Sequence, residues 1–459
     1  MANEYTKLEE SKRRCINLKK ETHSSDAKRL LKLISQATSP FHAVAASIEQ
    51  LAPKGFEELR LGDEWKLRRG GRYYVVHHGS TLVAFHIGKE KEAELGQIRI
   101  AAAHTDFPCL RVKPYPDMKE ERYARVNTEI YGGVILNTWL DRPLSVAGRV
   151  AVKSGDPFHP EMKLFDARRP VLVIPNLAIH LNKEINKGME LNKQTDMIPI
   201  AGMIEEKLNQ KSEKNAKSTY FMDFIAKECK VRPEEILDYE LTVYCAEEGS
   251  FVGVEDDFIS APRLDNMTSV QACLSAIIEG TREDGIDVIA LFDHEEIGSK
   301  TKQGAGSVLL SLIMEKIYMS LGKGHIGYTE ALAKGLFLSV DVGHAYHPNQ
   351  KDKYDPVVKS SLDTGVCLKE AAGQSYATDA EGVAIIQQIL ENAKIPYKKF
   401  VNRSDGTSGS TLGSIASTLL PMTVVDIGVP LLAMHSAREL MGSRDQKSLT
   451  DLLRVYFSL

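Results

Sequence analysis

Short apolar runs that end in a carboxylate or an imidazole recur along this chain. Ile98-Arg99-Ile100-Ala101-Ala102-Ala103 runs into His104, and Ile286-Asp287-Val288-Ile289-Ala290 leads through Leu291-Phe292 to Asp293-His294-Glu295-Glu296. Gly335 to Val340 ends at Asp341, and Thr423 to Ile427 leads on to Met434-His435-Ser436. Their length and β-branched content predict buried strands. Residues 72–78 and 81–87 read as a hairpin with Gly79-Ser80 at its turn. Helical spacing fills the intervals. It runs from Asp26 to Leu51 (Leu30, Leu31, Leu33, Ile34), with a break at Ser39-Pro40 and an end at Pro53. It returns after Asn266 (Val270, Cys273, Leu274, Ile277, Ile278), around 307–321, and over 447–457. Thr378 to Glu381 fits a capping box before Val383, Ile386, Ile389 and Leu390, and a Gly/Ser/Thr-rich loop, 404–411, precedes a further short helix. Strands alternating with helices, without an internal repeat, predict an α/β core.

Residues 111–244 have another texture, rich in Pro, Asn and Lys, with β-like runs at Arg149–Val152 and Val171–Ile174. Their lysine-rich segment 203–219 reads as a loop or lid. The expectation is a mixed-sheet α/β domain over 26–110 and 245–459. An inserted, mainly β dimerisation or lid domain would occupy 111–244, and a polar arm 1–25.

The length of 459 residues suits two domains, and the net charge of −4 comes with scattered basic residues. That argues against a nucleic-acid groove, and the absence of a long apolar run argues against a membrane span. Cys15, Cys109, Cys229, Cys245, Cys273 and Cys367 form no CxxC pair, which predicts free thiols in a reducing cytoplasm.

The chemistry lies at the strand ends. His104, Asp265, Glu296, Asp341 and His435 supply two imidazoles and three carboxylates, a donor set suited to two borderline divalent ions. Zinc is the first expectation, with cobalt or manganese as substitutes. Each ion would take one His and one terminal carboxylate, with the third carboxylate bridging around a shared water or hydroxide. Asp106, two residues from His104, would orient its imidazole. Side chains of adjacent residues on extended backbone diverge, so Glu295 would be free to act as general base beside Glu296. Taken singly, each residue has a plainer reading: Asp265 as a helix cap, Asp341 as a turn former, Lys369 as a solvated cation.

Five motifs carry a family resemblance: Ala103-His104-Thr105-Asp106; Arg263-Leu264-Asp265-Asn266; Asp293 to Ser299; Ser339-Val340-Asp341 with His344 to Asn349; and Met434-His435-Ser436. The chain resembles the aspartyl aminopeptidase and aminopeptidase I family of cocatalytic metallopeptidases from about Ser39 to the C-terminus, which implies that the α/β domain is a catalytic domain of the zinc-exopeptidase type. The resemblance implies that Asp265 bridges and that His104, Glu296, Asp341 and His435 are terminal ligands. It also implies that Asp106 and Glu295 are catalytic. Pro175-Asn176-Leu177-Ala178-Ile179-His180 matches a family segment whose histidine reaches a neighbouring subunit's active site, which implies a trans-acting His180. His344, Lys369 and Tyr376 fall at the family's substrate contacts, and a tetrahedral homododecamer acting on peptides is implied. The expected activity is removal of an N-terminal residue, with a lean towards Asp or Glu. A broad or leucine-type aminopeptidase, a two-metal deacylase or carboxypeptidase, and a non-catalytic shell are the other readings.

Overall fold

A computed structural model describes residues 24–89, 97–204, 219–406 and 409–459. The expected arm and the 203–219 segment lie, but for their edges, outside these residues. So do two positions of the 404–411 loop.

The catalytic domain is built on a nine-stranded mixed sheet. From edge to edge its strands are Phe56–Leu59, Arg72–His77, Thr81–Ile87, Ile286–Phe292, Ile98–His104, Leu336–Val340, Thr423–Gly428, Val366–Lys369 and Tyr397–Phe400. Its central strands are mostly apolar because both faces are covered. Alternation divides each strand between two cores. Ala101 and Ala103 pack with Leu30, Leu264, Met267 and Leu453, whereas Ile98, Ile100 and Ala102 pack with Leu309, Ile313 and Ile317 on the other face. Ile286–Phe292 and Leu336–Val340 both run parallel to Ile98–His104, and Thr423–Gly428 runs parallel to Leu336–Val340. Their carboxyl ends therefore open on one edge, where a ligand crevice forms.

The helices follow from local signals. Ser24 accepts the Ala27 N–H at the start of Ser25–Gln36, and Ser39 accepts the His42 N–H with Pro40 at the first turn of Pro40–Leu51. The capping box expected at Thr378 is displaced. Asp379 caps Ala380–Asn392 by accepting from Gly382 N–H, while Thr378 Oγ1 accepts from the Asp426 N–H. Gly324–Ala333 is an unexpected helix; its glycines and weak apolar stripe concealed it.

Cys109–Glu120 leads into the inserted domain and Ile236–Cys245 leads out of it. Its six-stranded antiparallel sheet has the order Glu161–Asp166, Leu144–Val152, Ile236–Cys245, Cys109–Glu120, Tyr123–Tyr131, Ile200–Met203. The run Val171–Ile174, expected to be β-like, makes only two isolated bridges. The helix Tyr220–Glu228 was not anticipated. A third sheet also escaped sequence reasoning. Its five short strands include Gly343–His344, Pro430–Leu432 and Glu439–Gly442, and it flanks the crevice.

Candidate metal centre

The strand ends bring the five expected ligands together. His104, the last residue of its strand and 1% exposed, points Nε2 at Asp265 Oδ1 (3.3 Å) and Asp341 Oδ1 (3.5 Å). His435 points Nε2 at Asp265 Oδ2 (3.3 Å) and Glu296 Oε2 (3.5 Å). Asp265 thus presents one oxygen to each imidazole. Two groups of possible metal donors result, His104-Asp265-Asp341 and Asp265-Glu296-His435, and a third joins His104 with Glu295 and Glu296.

The local backbone explains these directions. Arg263, in the left-handed region at φ 58° and stacked over Phe107 and Tyr244, swings Asp265 into the crevice at the start of Leu264–Glu279. His294, at φ 64°, ends the extended run, so Glu295 and Glu296 lie on a 3-10 turn, Glu295–Ile297, and not on extended backbone as expected. Adjacent side chains on such a turn diverge by about 120°, which separates the two glutamates by a different route.

Asp106 is also placed differently. The nearest contact of His104 Nδ1 is the Asp106 backbone carbonyl at 3.1 Å, with the carboxylate at 3.4 Å. That carboxylate, wholly buried, accepts the N–H groups of Glu295 and Glu296 (3.1 Å each) and the Tyr131 hydroxyl (2.7 Å). Asp106 therefore holds the glutamate turn as well as the imidazole.

The electrostatics of the site call for cations. Burial alone would lower the His104 pKa, but Asp106, Asp265 and Asp341 raise it well above the ordinary value. His435, opposed by burial in the same way, rises to about 9 through Asp265 and Glu439. Burial pushes Glu295 up to about 8, with Asp341, Asp106 and Asp265 adding to the rise against His104. Buried Glu296 Oε1 has no hydrogen-bond partner among the described residues. Unpaired buried carboxylate charge is costly unless a cation or proton neutralises it. Two imidazole nitrogens and four carboxylates, one of them with an unpartnered oxygen, fit a pair of divalent ions.

The remaining expected residues are less central. Lys369 is not a solvated lysine: it is 1% exposed, with Nζ 3.8 Å from Asp341 Oδ2 and 5.4 Å from the centre of the Tyr376 ring. Tyr376 accepts from Asn402 Nδ2 at 3.2 Å. His344 and His435 share a cleft of about 420 Å3 with His347, Lys353, Phe400 and Arg403. His180 is exposed, and among the described residues it is in none of the metal-capable groups.

Glu439 was missed by sequence reasoning. It is 2% exposed and accepts the backbone N–H groups of Asp265 (3.0 Å) and His435 (2.8 Å), which ties two sequence-distant segments together. The spacing of four residues from His435 is its only trace in the sequence. Glu439→Ala would leave two buried donors unsatisfied, at about 1–3 kcal/mol each. The metal-free variant is therefore expected to unfold at clearly lower denaturant, with Glu439→Gln intermediate; an unchanged midpoint would contradict this role.

Known proteins are similar to the chain along most of its length. The family model described as aminopeptidase I zinc metalloprotease (M18) matches residues 33–457. A probable M18 family aminopeptidase 2 of Clostridium novyi is 43% identical over 434 residues, 94% of this chain and 98% of its own. Aspartyl aminopeptidase 4 of Saccharomyces cerevisiae is 37% identical over 468 residues, 95% of each chain. Among solved structures, that of the Ape4 and Nbr1 complex is similar with a TM-score of 0.91 at 33% identity, covering 95% of this chain and 86% of that one. The S. cerevisiae mApe1 dodecamer is similar with a TM-score of 0.81 at 26% identity, covering 94% and 96%. With its mixed α/β catalytic sheet and its inserted β domain, the chain belongs to the M18 family of zinc metalloprotease aminopeptidases.

Proposed function

We propose that this aminopeptidase works with two divalent ions, zinc in the first place, and removes an N-terminal residue from peptides. In this reading His104 and Asp341 hold one ion, Glu296 and His435 the other, and Asp265 bridges them. The supporting observation is Asp265, whose two oxygens each stand 3.3 Å from a different imidazole. The bound ions would supply Lewis acidity, polarising the scissile carbonyl and acidifying the attacking water. Glu295 takes the proton from that water and delivers it to the leaving amine. Asp106 fixes the Glu295–Glu296 turn through two N–H bonds, so that the base stays apart from its ligand neighbour. His180 comes from a second subunit and steadies the oxyanion. Its exposure beside exposed Leu177, Ile179 and Leu181 supports a role at a contact between copies, and assembly as a homododecamer is part of the same proposal. The five described cysteines are free thiols, which supports a cytoplasmic setting.

For the substrate, we favour acidic N-terminal residues. The cleft beside His435 is lined by Lys353 and Arg403 together with His344 and His347, and the two cations there attract a carboxylate. Pairing of Lys369 with Asp341, and of Arg403 with Asp405, supports the neutral-residue reading in its place. Amino-acid p-nitroanilides offered to chelated and zinc-, cobalt- or manganese-restored protein separate the two. Metal-restored cleavage of Asp and Glu substrates over Leu is expected, with Lys369→Met narrowing the preference. A Leu preference would keep the mechanism and overturn the acidic assignment, whereas cleavage of N-acetylated substrates alone would put a deacylase first.

A further inference from the structure

The ligand cluster belongs to the catalytic domain, yet several of its hydrogen bonds come from a stretch of the inserted domain. Tyr131 closes the strand Tyr123–Tyr131 and is 9% exposed. Its hydroxyl donates to Asp106 Oδ2 at 2.7 Å, and the Arg111 guanidinium stacks 4.5 Å from its ring centre. Two residues on, the Gly133 carbonyl lies 3.1 Å from His435 Nδ1. Ile135 N–H then donates to the His435 carbonyl at 3.1 Å, and Thr138 Oγ1 accepts the Ala437 N–H at 2.9 Å. The backbone is seated closely against the site. A Cβ at Gly132 would meet Glu296 Cβ at 3.1 Å, and one at Gly133 would meet His435 Nδ1 at 3.0 Å.

These contacts act on both ends of the cluster. The Asp106 carboxylate accepts three hydrogen bonds, two from the glutamate turn and one from Tyr131. Tyr131 is the one side-chain donor among them apart from the neighbouring imidazole. Without it, Asp106 Oδ2 keeps only the Glu296 N–H, and the carboxylate is held less tightly. At the other end, the Gly133 carbonyl fixes which His435 nitrogen carries the proton, so that Nε2 is the one presented to Asp265 and Glu296.

We infer that Tyr131–Thr138 is a positioning strap: through the Tyr131 hydroxyl and the Gly133 carbonyl, the inserted domain sets the geometry of Glu295, Glu296 and His435. The Tyr131 hydroxyl bonds Asp106, which is not one of the five ligands, and Tyr131 does not line the cleft beside His435, so it is a positioning residue and not a catalytic one. The inference rests on the two-metal reading. It extends that reading by making the ligand geometry depend on a domain that supplies none of the five ligands.

The test is Tyr131→Phe, which removes one oxygen and keeps the ring. Full-length parent and variant are loaded with cobalt(II). Affinity is read by chelator competition, ligand geometry by the visible absorption band, and folding by unfolding of the metal-free protein. Removal of an outer partner of metal ligands typically costs about 10–100-fold in metal affinity or activity. Tyr131 acts through Asp106 and not on a ligand itself, so the variant is expected to lose affinity at the lower end of that range, about tenfold, with an altered cobalt band. Gly133→Ala, which leaves Tyr131 intact and presses on the His435 ring, is expected to alter the band too. A lower unfolding midpoint with parental cobalt affinity and spectrum in both variants would reduce the strap to packing and overturn the inference. A parent that binds no cobalt would overturn the two-metal reading together with it, and the two failures are distinguished by the parent's own titration.

Discussion

Glu295→Gln is expected to keep its ions and lose turnover by about 10²–10⁴-fold, the usual worth of a positioned acid-base group. Glutamine has the same shape and still fits the pocket on the Glu295–Ile297 turn, but it cannot take a proton. Glu296, Asp265 and the two histidines are untouched by the change, so ion content should match the parent. The environment of Glu295 suits the role. Burial and the neighbouring carboxylates of Asp341, Asp106 and Asp265 push its pKa up to about 8 against the opposing His104. Bound cations stabilise the ionised form and bring that value back down, towards working pH, where a base is most effective. Steady-state cleavage and elemental analysis of the same preparation check the result. Near-parental turnover would remove Glu295 from the mechanism, and lost ions would make it a ligand.

His180→Ala is expected to lower kcat by about 10²–10³-fold, roughly 3 kcal/mol of oxyanion stabilisation, without changing ion content. The residue is exposed on its own subunit, and Asn176 in the same segment is anchored to Asp141 by two hydrogen bonds, at 2.8 and 2.7 Å. A histidine held out on an anchored loop can serve a neighbour. Co-assembly of His180→Ala subunits with Glu295→Gln subunits should then recover activity, since each Glu295-bearing site can receive a histidine from its partner. Co-purification through two different tags verifies that mixed assemblies have formed. Mixed assemblies with no gain over either variant alone would place His180 outside the neighbour's site.

The strands that carry the candidate ligands were legible for a physical reason. Strands buried on both faces must be apolar, so a carboxylate or imidazole at their ends stands out, as at His104, Glu296 and Asp341. Asp265 and His435 were legible as motif positions, although His435 in fact follows a short strand of a sheet that no periodicity announced. The residues that were missed act through backbone. Glu439 accepts two N–H groups, and Gly133 offers a carbonyl, so neither needs a recognisable motif. Tyr131 carries no signal of its own in the sequence, because its partner Asp106 is brought to it only by folding. The same holds for Lys369, whose burial against Asp341 depends on the pairing of Val366–Lys369 beside Thr423–Gly428. Local signals mark where a strand or helix ends; they carry little information about which distant backbone group will meet a side chain there.

The central claim is a pair of ions sharing Asp265, and cobalt(II) titration of fully chelated protein tests it most directly. Bound metal per subunit is measured alongside cleavage of a peptide with a free N-terminus. The account predicts that binding saturates at two ions per subunit, with cleavage rising as they bind, and that Asp265→Asn weakens both. Saturation at one ion with full turnover, or full turnover of the chelated protein, would contradict it.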